Sequence, residues 1–119
     1  MVNFKELVAS FKFAFAGIGV MLKEEHSFRI MLVAAVLVII LMFYFDLPVT
    51  QKAILFMIIM FVFTLELLNS AVEKFLDFIH SDENHRIKII KDVLAGVVLI
   101  ACLGATIIGV LIFWPYIFS

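Results

Sequence analysis

At 119 residues, 66% hydrophobic and with a mean hydropathy of +1.22, the chain is too apolar for a water-soluble domain, where the apolar share is about 45–50%. A net charge of −1 excludes the basic field that nucleic-acid binding requires. The single cysteine, Cys102, excludes an internal disulfide and reads as a packing residue.

The first element is an amphipathic helix over residues 1–25. Phe4, Leu7, Val8, Phe11, Phe15, Ile18 and Leu22 recur at helical spacing, and Lys5, Lys12 and Lys23 fall on the other side. Such a helix suits the membrane interface better than a crossing. Its start lacks the short apolar core and small-residue cleavage site of a signal peptide, so none is expected. Residues 23–27, KEEHS, break the pattern. A first span follows over 28–46, with no charge between residues 30 and 45.

Residues 46–50, DLPVT, make a short turn in which Pro48 restricts the backbone and Thr50 is expected to cap the next helix. The second span covers 49–79 and carries a cytoplasmic extension. Residues 80–86, HSDENHR, form a polar connector. The third span covers 87–116, is uncharged over 93–118, and ends in Trp114, Pro115 and Tyr116, aromatics suited to an interface. A crossing needs about 20 apolar residues. The chain therefore reads as an all-α integral membrane domain with three transmembrane helices.

Lys and Arg counts orient it. Lys52 alone lies by the first connector; the other eight basic residues precede the first span, open it, or surround the second connector. Basic loops stay in the cytoplasm, so the N-terminus and residues 80–91 face inward and the C-terminus outward. Ala101, Ala105 and Gly109 are spaced four apart on the third span, with Gly96 and Gly104 nearby. Small residues at that spacing let helices approach closely, and an oligomer is expected.

The chemistry concentrates in residues 65–77, LELLNSAVEKFLD. Glu66, Asn69, Glu73 and Asp77 fall on one helical stripe about 16 Å long, running from acyl depth to water. A carboxylate at membrane depth costs roughly 2.5–3.5 kcal/mol on insertion scales. A solvated helix end accounts for Asp77 but not for Glu66, which Leu65, Leu67 and Leu68 flank. Glu24, Glu25, Arg29, Lys91 and Asp92 belong at the same cytoplasmic level. Two carboxylates such as Glu25 and Glu73 can hold Mg²⁺ together with phosphate oxygens. Lys91 can neutralise phosphate, and Glu66 can take a proton from a hydroxyl presented by lipid. Those parts suit phosphoryl transfer, in which positioning and charge neutralisation dominate.

Other signals are weaker. Gly17-Ile18-Gly19 lacks the preceding strand and third glycine of a dinucleotide loop, and His26, His80 and His85 lack a ligand spacing. An embedded Glu66 also fits a small oligomeric ion channel or transporter. Against that reading, the polar groups gather at one membrane face, and the first and third spans hold no central charge.

The run ELLNSAVE at 66–73, followed by Asp77 and then Lys91-Asp92, resembles the small prokaryotic diacylglycerol kinase and undecaprenol kinase family. SFKFAFAGI at 10–18 and EHSFRI at 25–30 match the N-terminal half of that family. The resemblance covers nearly the whole chain. It implies a homotrimer in the bacterial inner membrane, with active sites at the cytoplasmic face that transfer the ATP γ-phosphate to a lipid alcohol with Mg²⁺. Carried over, Glu66 resembles the general base, and Glu25 and Glu73 the metal- and nucleotide-binding acids. Lys91 and Asp92 resemble nucleotide contacts, and Asn69 and Asp77 supporting site residues. Arg29, Ala95 and Glu66 fall at the lipid substrate. Asn84 stands where the family commonly has histidine, and Phe13 where it has tyrosine. Met31 replaces a polar residue near the lipid entry. Ala95, where the diacylglycerol-preferring branch tends to have serine, leans the expected substrate towards undecaprenol, with diacylglycerol as the alternative.

Overall fold

Asn3 opens the first helix by accepting the Lys5 backbone N–H at 3.2 Å, and α1 then runs over Phe4–Glu24. In the computed structural model, which describes residues 3–79 and 84–118, three more helices follow: α2 (His26–Tyr44), α3 (Val49–Ile79) and α4 (His85–Ile117). Among the described residues the chain is all helix and turn. The last three are long and apolar enough to cross a membrane. Residues 80–83 of the expected connector lie outside the described residues.

The boundaries have local causes. Glu25 is extended, with φ −104° and ψ 108°, and its N–H bonds to the Met21 carbonyl at 2.9 Å. The break after α1 is thus one residue long, and α2 starts two residues before the expected span. Asp46 turns the chain with φ 51°, a left-handed conformation that aspartate tolerates better than most residues. The expectation that Thr50 caps the second span is corrected: Thr50 lies inside α3. The first helical bond is instead accepted by Pro48, whose carbonyl meets the Lys52 N–H at 3.0 Å. Proline fits there because a helix start does not need its missing N–H.

Asn84 caps α4, its side chain accepting from the Arg86 N–H at 2.9 Å. Pro115 sits in the last turn, and α4 runs two residues past it to Ile117. Near a helix end the backbone bond that proline removes counts for least.

The chain divides into two compact units, Met1–Val36 and Leu37–Ser119. The first holds α1 and the start of α2. In the second, α3 packs against α4. Their direction is fixed at both ends. Tyr116 Oη, late in α4, donates to Gln51 Oε1, early in α3, at 3.2 Å. Lys91 Nζ, early in α4, meets Asp77 Oδ1, late in α3, at 2.5 Å. The two helices are antiparallel. A core of Met42, Leu47, Leu55, Ile112 and Phe113 gathers at the turn between α2 and α3, with Phe45 packed on Phe113 and Tyr116.

Away from that core the helices are apolar on outward faces too. Val33, Met57, Ile100 and Leu111 are all more than 60% exposed. Helices hydrophobic all round belong in a membrane or a larger assembly. None of the five glycines contributes to close packing here, since a Cβ at Gly96, Gly104 or Gly109 would meet nothing within 4 Å. The small face of α4 is therefore not used within the chain.

Candidate active site

Glu66 and Ser70 are the buried polar residues of the protein's described part, at 5% and 2% exposure. They lie one turn apart on α3, in the antiparallel α3–α4 unit. The register set by the two end pairs places Cys102 level with Glu66 and Ala95 level with Glu73. Within a run that is otherwise leucine, a buried carboxylate is the feature that most needs a purpose.

The stripe grows more accessible along α3. Asn69 is half-buried, and its Oδ1 is buried without a hydrogen-bond partner. A buried carbonyl oxygen with no donor costs about 1–3 kcal/mol, and none of the described residues donates to this one. Glu73 is half-buried and Asp77 exposed. Glu66 and Glu73 are separated by about 10 Å along the helix axis.

Lys91 joins Asp77, bringing together two residues expected at the site from different helices. Asp92 has its partner on its own helix. It pairs with Lys88 at 3.3 Å in an exposed i,i+4 contact, which is an ordinary surface arrangement. Ala95 is exposed on α4. Asn84, standing where the resemblance leads one to expect histidine, has a local use as the α4 cap, and His85 is the exposed first residue of that helix.

In the N-terminal unit, Glu25 is the half-buried extended residue between α1 and α2. Arg29 Nη1 donates to the carbonyls of Leu22 and Lys23 at 3.1 and 3.0 Å. Its guanidinium therefore caps the end of α1. Among the described residues no three of His, Cys, Asp and Glu converge as a metal cluster.

A family model described as prokaryotic diacylglycerol kinase matches residues 12–113. The chain belongs to the prokaryotic diacylglycerol kinase family. Among curated relatives it is 38% identical over 107 residues to an undecaprenol kinase of Bacillus subtilis, covering 89% of this chain and 86% of that protein. It is 34% identical over 114 residues to a diacylglycerol kinase of Synechocystis, covering 95% of this chain and 65% of that protein. The match spans every helix that carries the stripe, the Asp77–Lys91 pair and the Glu25 break. In this family member Ser70 is the buried polar residue that reading the sequence did not single out. Its only signal was its place one turn beyond Glu66, on the same face.

Proposed function

We propose that the protein is a membrane lipid kinase that transfers the γ-phosphate of ATP to a lipid alcohol at the cytoplasmic face, with undecaprenol as the substrate. The burial of Glu66 in the apolar part of α3 is the observation that carries this reading. A carboxylate at that depth is placed to meet a hydroxyl arriving from the bilayer, and it accepts the hydroxyl proton as the oxygen attacks phosphorus. Asn69, with its unpartnered Oδ1, orients the incoming group from one turn away. Further along α3, Glu73 and Asp77 lead towards water, where nucleotide arrives.

Mg²⁺, when bound, would supply charge neutralisation of the phosphates, and Glu25 and Glu73 are the acids assigned to it. Lys91, fixed by Asp77, offers its ammonium to phosphate oxygens, and Asp92 contacts the nucleotide. These roles are the ones that phosphoryl transfer requires: a held nucleotide, a neutralised γ-phosphate and a positioned acceptor. The protein works as a homotrimer in the cytoplasmic membrane of bacteria. Its N-terminus and α3–α4 connector lie in the cytoplasm, α1 lies in the interface, and α2, α3 and α4 cross.

Undecaprenol is preferred over diacylglycerol for two reasons. The Bacillus undecaprenol kinase shares the higher identity and is covered over most of its length. Ala95, level with Glu73, brings no hydroxyl to hold a glycerol headgroup. The Synechocystis diacylglycerol kinase supports diacylglycerol as the second substrate.

The test is a phosphorylation assay of the purified protein with labelled ATP, offering undecaprenol and a diacylglycerol side by side. Label is expected in the polyprenol fraction at the higher rate. Label in phosphatidic acid alone would reverse the substrate assignment. ATP turnover independent of any lipid alcohol, or ion flux without ATP, would overturn the kinase reading.

A further inference from the structure

The single extended residue between α1 and α2 is Glu25. An extended residue flanked by two helices leaves their mutual angle open, because both helices can swing about its φ and ψ. Something must hold that angle if the Glu25 carboxylate is to point in one direction. The backbone supplies one bond on each side: Glu25 N–H to Met21 O at 2.9 Å, and Arg29 N–H to Glu25 O at 3.3 Å. Neither spans the break from helix to helix.

The Arg29 side chain does. Arg29 lies in the first turn of α2, and its Nη1 carries two N–H groups. One reaches the Leu22 carbonyl at 3.1 Å and the other the Lys23 carbonyl at 3.0 Å. Both carbonyls lie in the last turn of α1, where helical acceptors lack intrahelical donors and the helix dipole favours a cation. A planar guanidinium carries two donors on one nitrogen in a fixed geometry, so the two bonds set an orientation as well as a distance.

We propose that Arg29 is a positioning residue that clamps the α1–α2 hinge and thereby fixes the direction of the Glu25 carboxylate. This departs from the expectation that Arg29 meets the lipid substrate. It rests on the reading of Glu25 as a Mg²⁺- and nucleotide-binding acid. The clamp acts on the nucleotide side of the reaction and not on lipid capture.

The experiment combines steady-state kinetics with amide hydrogen exchange on the full-length protein, comparing wild type with Arg29→Ala, Arg29→Gln and Arg29→Lys. Arg29→Ala should raise both KM for ATP and the Mg²⁺ concentration for half-activity about fivefold, the scale expected from losing charge-assisted bonds at a helix end. KM for the lipid alcohol should stay unchanged. Exchange should accelerate in the segment around residues 22–29 and stay as in wild type over α3 and α4. Arg29→Lys, which keeps the charge but not the planar two-donor geometry, should recover only part of both effects, and Arg29→Gln less. Should Arg29→Ala fail to fold, the Lys and Gln variants carry the comparison.

A rise in lipid KM alone, with hinge exchange unaltered, would overturn the clamp and leave the kinase reading standing. Accelerated hinge exchange with unchanged ATP and Mg²⁺ dependence would overturn the link to Glu25. If wild type shows no lipid-dependent phosphorylation, the functional reading fails, and slow hinge exchange that Arg29→Ala leaves unchanged would still overturn the clamp by itself.

Discussion

Asn69 shows most directly how single residues divide fold from function. Its Oδ1 is buried and receives no hydrogen bond from the described residues, so removing it deletes no bond through that atom among them. Asn69→Ala should therefore leave the melting temperature at or above that of wild type. The same change should lower kcat about tenfold, as expected when one hydrogen bond to a reacting group is lost. Thermal unfolding and steady-state rates on the same preparation check both halves. A large loss of stability with kcat preserved would make Asn69 a structural residue. Glu66 and Ser70 pose the opposite case. Both are almost fully covered, so their side chains are held in place and what they face is set by packing. Burial of Glu66 could be inferred from its leucine neighbours. Burial of Ser70 could not, because a serine in an apolar helix is equally at home on a lipid-facing surface, bonded back to its own backbone, as Thr64 is to Met60 O at 2.7 Å.

At the scale of elements, the junction of α3 and α4 matters most. Asp77 and Lys91 are exposed to different degrees, at 62% and 35% of their side chains, and a pair open to solvent adds little to stability. Under the proposed function its role is to aim the ammonium. Asp77→Asn should leave the melting temperature unchanged and raise KM for ATP modestly. Lys91→Met should raise it about tenfold, through loss of a charged phosphate contact. Nucleotide titration of the two variants decides the point, and equal effects would show that Lys91 acts only through Asp77. Much at this scale was legible in advance. The second helix could be bounded at 49–79 because Pro48 precedes it and a polar run follows. The break at residues 23–27 was visible in the charges, but not its confinement to Glu25. The Arg29 guanidinium reaches back across it to α1, and side-chain reach leaves no periodic trace. Thr50 was a reasonable cap by residue type, yet the Pro48 carbonyl already accepts the first helical bond.

For the whole molecule, the fold class could be read from composition and run length alone, since uncharged apolar stretches of this length have few other uses. The assembly could be read only in part. A single chain leaves the α4 glycines without close neighbours and much apolar side-chain surface exposed, and both features call for lipid or further copies. Gly109 lies on the small-residue stripe, and a side chain there would meet nothing within its own chain. Gly109→Leu should therefore leave the helices of one protomer intact while breaking the proposed homotrimer. Light scattering in detergent, with circular dichroism as control, would show a shift to smaller species at constant helicity. A trimer that survives the change would place the contact on another face.

The central claim is that the buried Glu66 carboxylate accepts the proton of a lipid hydroxyl. Its most direct test is the pre-steady-state and steady-state rate of Glu66→Gln, which keeps the shape of the side chain but not its charge or basicity. The account predicts that kcat falls by about 10²–10⁴-fold, the usual contribution of a general base, with KM for ATP and the melting temperature little changed. A Glu66→Gln protein that phosphorylates the lipid alcohol at the wild-type rate would contradict it.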